Sequence, residues 1–342
     1  MLHWNNLSLS RTFTIFFLPC LLAAPYRTLA QTPLPAQQKI ILDTDIGDDI
    51  DDAYALALVL SSPELNLLGV TTAWGDTALR ARLVQGMLCQ TGRQAVPVTI
   101  GPSTRTSTVL TQAAWARRQP LPTQPKMDAI SWMIQTIRKN PGQITLIAIA
   151  PMSNIGALIA RDPAAFHLLQ RVVLMGGSIH RGYDDLGYAP DRGPSREYNI
   201  AMDIPAAQKL FTSGVPIYML PLDSTQMKLD TVLQRVLSSQ STPLTDSLTL
   251  LTAEWTAKAK APVPTLFDVM AVEAAIDEKL CPFQPMHIRV DDQGYTREGT
   301  GPSNAFVCLD SNSDRFFHFL IPRLLQQKLA SHSADATCRT QL

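Results

Sequence analysis

Net charge is what this sequence most conspicuously lacks: 29 Lys and Arg offset 29 Asp and Glu, so the formal charge at pH 7 is zero. Such a chain has no global field to draw nucleic acid or an anionic membrane, and a small neutral substrate suits it better. Histidine is scarce, and His167, His287, His318 and His332 have no partners at metal-ligand spacing, which leaves them as structural residues. The five cysteines are spaced too irregularly for a zinc site. No apolar run reaches the roughly 20 residues that a membrane helix requires. Internal repeats and long low-complexity segments are also missing.

The chain does have core: 342 residues, 46% of them hydrophobic, suit one large domain or two small ones. The first thirty residues stand apart. Arg11 precedes the run TFTIFFLPCLLAAP, and small residues in TLA at 28–30 offer cleavage after Ala30, the pattern of a secretory signal peptide over residues 1–30. An uncleaved anchor is the alternative. Pro19 makes Cys20 a poor lipid acceptor. A Pro- and Gln-rich linker (31–38), a main domain (39–330) and a C-terminal tail (331–342) follow. The expected location is periplasmic or secreted, with no membrane contact after cleavage. Export permits disulfides among Cys89, Cys281, Cys308 and Cys338, and at least one bridge is expected among the last three.

From Ile40 on, short apolar runs alternate with amphipathic ones: IILD, LNLLGVTTA, VPVTI, ITLIAIA, RVVLMGG and PIYMLPL read as strands, with helical segments between them. Strands without in–out alternation, separated by helices, imply an open α/β fold with a mostly parallel sheet covered on both faces. In such sheets ligands bind at the carboxyl ends of the strands. After Cys281 the sequence reads as a small antiparallel appendage closed by a helix in SDRFFHFLIPRLLQQKL.

The first strand runs into ILDTDIGDDIDDAYALAL, where Asp43, Asp45, Asp48, Asp49, Asp51 and Asp52 crowd together without a Lys or Arg between them. Two unit charges about 4 Å apart repel by roughly 1 kcal/mol in water and about 4 kcal/mol at an effective dielectric near 20. Asp43 and Asp45 share a strand face, Gly47 permits a turn, and Asp51 and Asp52 begin a helix whose dipole favours them. Converging hard oxygens suit Ca²⁺ or Mg²⁺. The spacing is neither an EF-hand loop nor an aspartyl-phosphatase motif.

This stretch resembles the N-terminal signature of the nucleoside hydrolase family, the inosine–uridine-preferring enzymes. LNLLGVTTAWGDT, APMSNIGALI, RVVLMGGSI, SREYNIAMDIPAA and TLFDVMAV extend the likeness, in the family's order, to about Leu325. The resemblance implies a Ca²⁺-dependent hydrolase that cleaves the N-glycosidic bond of ribonucleosides to free base and ribose. It implies Asp45, Asp52, Asp268 and the Ser153 carbonyl as calcium ligands, with Asp45 also the general base toward a water on the metal. Asp51, Met175, Glu197 and Asn199 would contact the ribose. Asp76 stands at the place of a family Asn and is expected at the substrate. Relatives form dimers or tetramers, so a homo-oligomer is conceivable.

Three departures qualify the likeness. The acidic loop is longer than in the best-known members, so Asp49 is an additional candidate ligand. Asp76 replaces the Asn. Phe267 stands where many members have a His that protonates the leaving base, so that role is vacant or reassigned. His180, Tyr183 and Tyr188, in the lid-like loop 178–196, could approach the base, although surface or packing roles are the default. Trp74, Trp115, Trp132 and Trp255 could stack on it, with core packing the default for each. Asp43 is expected to support the loop, Asn154 to cap or support the turn after its own strand, and Asp203 to cap a helix. Two other readings stay open: a nucleoside- or sugar-binding protein that has lost turnover, and an enzyme acting on another ribosyl compound.

Overall fold

The structure is a computed structural model, and it describes Met1, residues 37–122, 125–188 and 192–326, and Cys338. The signal segment, most of the linker and of the tail with His332, and residues 189–191 of the 178–196 loop lie outside the described residues.

Ten strands are present among the described residues: β1 (Gln38–Thr44), β2 (Leu65–Thr72), β3 (Val98–Ile100), β4 (Ile144–Ile149), β5 (Arg171–Met175), β6 (Ile217–Leu220), β7 (Phe283–Met286), β8 (Ile288–Val290), β9 (Thr296–Glu298) and β10 (Ala305–Cys308). Eight form one sheet in the order β3-β2-β1-β4-β5-β6-β10-β7. Its pairs are parallel except β10 with β7. β4 and β5 are buried along their whole length, as helices on both faces require. Along β1 the faces alternate: Ile40 and Leu42 enter one core with helices Asp51–Ser61 and Val269–Ile276, and Ile41 enters the other with Ala129–Lys139 and Ser153–Arg161.

The segment after Cys281 is partly built into the main sheet. β10 adds to β6 in parallel and β7 closes the edge antiparallel, while β8 and β9 alone form a separate antiparallel pair. Pro285 on β7 removes a ladder donor where an edge strand tolerates it. A disulfide joins Cys281 to Cys308, and another joins Cys89 to Cys338, with Cα atoms 5.9 and 5.5 Å apart.

One long element went unread in the sequence. Helix Pro243–Ala259 begins at a capping box formed by Thr242 and Thr245, yet Thr and Ser interrupt its apolar stripe. Tertiary contact sustains it: the Tyr54 hydroxyl meets Thr252 Oγ1 at 3.1 Å.

Because β1 pairs with β2 on one side and β4 on the other, the chain changes direction across the sheet at β1 and β4. The crevice outside the carboxyl ends of this pair is where an open α/β sheet takes its ligand.

Candidate active site

A cavity of about 360 Å³ opens at that crevice. Asp45, Asp48, Asp49, Asp51 and Asp52, from the loop after β1 and the first turn of the next helix, form one wall. Met175 ends β5, Glu197 and Asn199 follow the 178–196 loop, and Phe267 and Asp268 precede helix Val269–Ile276. Thr108, Val109, Tyr183, Tyr198, Trp255 and Ala259 belong to the remaining wall.

Within the acidic wall the carboxylates divide into two groups. Asp51, Asp52 and Asp268 each offer an oxygen, and these oxygens all lie within 4.8 Å of one another. Burial first, and their neighbours' charge second, push all three carboxyls well above the ordinary range. The Thr44 hydroxyl donates to Asp52, and the Asp268 N–H donates to Asp51 Oδ2 at 3.3 Å. Three hard oxygen donors held this close in the interior fit a divalent cation, whose charge would remove the repulsion.

Asp45 and Asp48 belong to Arg80. This guanidinium, on helix Thr77–Gln90, is only 1% exposed. It donates to Asp48 Oδ1 at 3.0 Å, to the Ile46 carbonyl at 3.1 Å and to the Trp74 carbonyl at 2.7 Å, and lies 3.8 Å from Asp45 Oδ2. Two unusual backbone conformations frame it: Gly47 has φ +126°, and Trp74 has φ +62°, a left-handed value that a tryptophan adopts only at a cost. Burial raises the Asp45 carboxyl, Asp48 and Asp52 add to that, and Arg80 opposes them.

Glu197 caps the short helix Tyr198–Ala201 and accepts from the N–H groups of Gly177, Asn199 and Ile200 at 2.8, 2.8 and 3.1 Å. Burial outweighs these donors and pushes its carboxyl up to about 7. Asn199 Nδ2 donates to the Met175 carbonyl at 3.2 Å.

Asp49 lies on the wall outside the triad; it accepts from the Ile50 N–H at 2.7 Å and from Trp255, and burial pushes it up to about 6. Asp51 stands with Asp52 and Asp268, and Asp45, 3.8 Å from Arg80, lines the same wall. Asp76 is away from the cavity: it is exposed and caps helix Thr77–Gln90 through the Leu79 N–H at 3.0 Å. An N-cap must sit at the helix start; one turn further along, Arg80 lies behind the acidic wall and holds Asp48. Ser153 begins the helix after β4 and does not line the cavity; its hydroxyl is buried without a partner among the described residues.

Asp43 accepts from the Thr71 hydroxyl and from Asn154 Nδ2, so both residues brace the end of β1. Asp203 caps its helix through the Ala206 N–H at 3.2 Å. Trp115 and Trp132 are core residues, whereas Trp255 reaches the cavity. The residues that sequence reasoning missed are Arg80, Tyr198 and the 108–111 stretch. Tyr198 had a local signal, since it separates Glu197 from Asn199.

Comparison with known proteins gives the chain's family. An uncharacterized protein of Schizosaccharomyces pombe is 34% identical over 218 residues, which are 60% of this chain and 67% of that protein. A pyrimidine-specific ribonucleoside hydrolase of Escherichia coli is 34% identical over 206 residues, 57% of this chain and 63% of the relative. The chain thus matches about two thirds of the length of these relatives. A purine-preferring ribonucleoside hydrolase from Gardnerella vaginalis shares the fold with TM-score 0.72 at 24% identity, covering 84% of this chain and 98% of that one. An inosine-uridine preferring nucleoside hydrolase from Bacillus anthracis gives TM-score 0.69 at 19% identity, covering 85% and 100%. A family match running from Ile40 to His318 takes in the acidic loop, Glu197, Asn199 and Asp268, and on it the chain belongs to the inosine-uridine preferring nucleoside hydrolases.

Proposed function

We propose that this chain is an exported, Ca²⁺-dependent hydrolase that splits the N-glycosidic bond of ribonucleosides into free base and ribose. The observation that carries the reading is the division of labour in one cavity. A buried triad of carboxylates fit for a cation lies beside a separate, Arg-paired carboxylate and a Glu197–Asn199 pair. The cavity's size falls in the roughly 300–1,000 Å³ range of small-molecule sites.

Departure of the base leaves positive charge at the anomeric carbon, and the carboxylates around the cavity stabilise it. Asp51, Asp52 and Asp268 would hold the metal. When bound, the metal supplies the positive charge that keeps these carboxylates ionised and polarises the oxygens it meets. Asp45 takes the proton from the attacking water. Glu197 and Asn199 hold ribose hydroxyls, Asp51 borders them, and Met175 packs against the sugar. The disulfides and the N-terminal apolar run support export.

Ribose release from inosine and uridine, with and without a chelator, tests the reading. Asp45→Asn keeps the side chain's shape and removes its proton affinity, so turnover should fall about 10²- to 10⁴-fold. Wild-type turnover in that variant would reject the mechanism, and binding without ribose release would favour a protein that has kept only the site. Intact mass of the exported protein, starting near Gln31, tests cleavage.

A further inference from the structure

We infer that Tyr183 is the group that hydrogen-bonds to, and protonates, the leaving base, an inference that rests on the hydrolase reading above. The carboxylates of the cavity are already engaged as acceptors or grouped for a cation. Asp51, Asp52 and Asp268 converge on one another, Arg80 engages Asp45 and Asp48, and N–H donors occupy Glu197 and Asp49. Amide and indole N–H groups do not give up protons in this range, and apart from the carboxyls the cavity's proton donors are hydroxyls.

Thr111 already donates to the Asp48 carbonyl at 2.6 Å. The hydroxyls of Thr108 and Tyr198 meet at 2.9 Å, and Tyr198 feels Asp48, Asp45 and Arg80, on the acidic-loop side. Tyr183 differs from Tyr198 in its bonding. Its oxygen accepts the Tyr198 backbone N–H at 3.0 Å, which fixes the oxygen and leaves its own proton to donate. Burial, and after it the charge of Glu197, raises the phenol's pKa.

Position agrees with bonding. The Tyr183 and Phe267 rings pack edge to face, their centroids 6.0 Å apart at 84°, and Phe267, Trp255, Val109 and Ala259 give the cavity apolar lining that suits a flat heteroaromatic ring. The other donors of the same loop point elsewhere. His180 is more than half exposed, with Nδ1 3.7 Å from Asp223, and Tyr188 is 92% exposed. Neither lines the cavity.

The step balances. The bond from the anomeric carbon to the base nitrogen breaks, its electron pair leaves on the base, and the Tyr183 proton neutralises that charge. Water gives its hydroxyl to the anomeric carbon and its other proton to Asp45. Exchange with solvent returns a proton to Tyr183 and removes one from Asp45.

A leaving group that needs no proton separates this role from a structural one. Tyr183→Phe and Tyr198→Phe are compared with wild type on uridine, inosine and p-nitrophenyl riboside, with thermal melts to confirm folding. Tyr183→Phe should lower kcat on the nucleosides about 10²-fold, and on the nitrophenyl riboside less than about fivefold, with small changes in KM. An equal loss on both substrate types, a loss on nucleosides below about threefold, or a selective loss in Tyr198→Phe instead would overturn the inference. Wild-type protein that cleaves none of the three would overturn the hydrolase reading itself and this inference with it.

Discussion

Arg80 donates to both carboxylate oxygens of Asp48, at 3.0 and 3.4 Å, from a position sealed from solvent. It also lies 3.8 Å from Asp45, so one internal cation serves two of the crowded acids, while oxygens of Asp51, Asp52 and Asp268 converge on one another. The repulsion inherent in the acidic loop therefore has one remedy built into the chain, and the proposed cation would supply a second.

Removing the internal cation should be costly. Arg80→Met leaves Asp48 and Asp45 buried without their partner, and breaking a buried pair from one side costs about 3–5 kcal/mol. Urea unfolding at neutral pH measures it. Adding Asp48→Asn should recover part of the loss, since it removes one stranded charge; a double variant no more stable than Arg80→Met would contradict the pairing.

The bound cation should show in the melting temperature. A ligand that binds only the folded state stabilises it by about 2.7 kcal/mol at a concentration 100 times its Kd. Millimolar Ca²⁺ is expected to raise Tm of chelator-treated protein, and elemental analysis to find one divalent ion per chain. Asp268→Asn should abolish both effects. An equal Ca²⁺ shift in that variant would place the ion elsewhere.

Glu273, on helix Val269–Ile276, should make stability fall as pH rises. It is buried, and its Oε2 has no hydrogen-bond partner among the described residues. Burial pushes the carboxyl up to about 8 from 4.5, although Arg315 and Arg323 pull the other way. Between those values the folded chain keeps a proton that the unfolded chain has released. The contribution is therefore whole below pH 4.5 and is lost as pH climbs through about 8, with a slope of up to about 1.4 kcal/mol per pH unit. Denaturant midpoints measured from pH 5 to 8.5 should fall less steeply for Glu273→Gln, which should exceed wild type at the alkaline end. Parallel curves would reject this.

Asp223 anchors the loop that carries Tyr183. Its carboxylate accepts the N–H groups of Ile179, His180 and Arg181 at 2.9, 2.8 and 3.2 Å. Asp223→Ala strands three donors at a cost of about 1–3 kcal/mol each where they stay dry. Faster proteolysis within 182–196 and a higher KM for nucleosides are the expected results; a cleavage rate like wild type's would show that the loop is held by other contacts.

Local periodicity made the sheet and its sequence of helices legible, because a strand buried on both faces must be apolar throughout and its neighbours must be amphipathic. It also marked the loop after β1 as chemical, since six acids in ten residues are tolerable only with a compensating charge. Helix Pro243–Ala259 escaped notice because its stripe is broken by hydroxyl residues that the surrounding helices accommodate. The loss of Asp76 from the site and the arrival of Arg80 were decided by tertiary structure: both belong to one helix, and only the packing of that helix against the β1 loop selects which side chain reaches inward. The same holds for Tyr183, which nothing in its own segment separates from His180 or Tyr188. Sequence reports which groups are available and the local geometry they prefer; which of them share a cavity depends on contacts between segments far apart in the chain, and those exist only once it has folded.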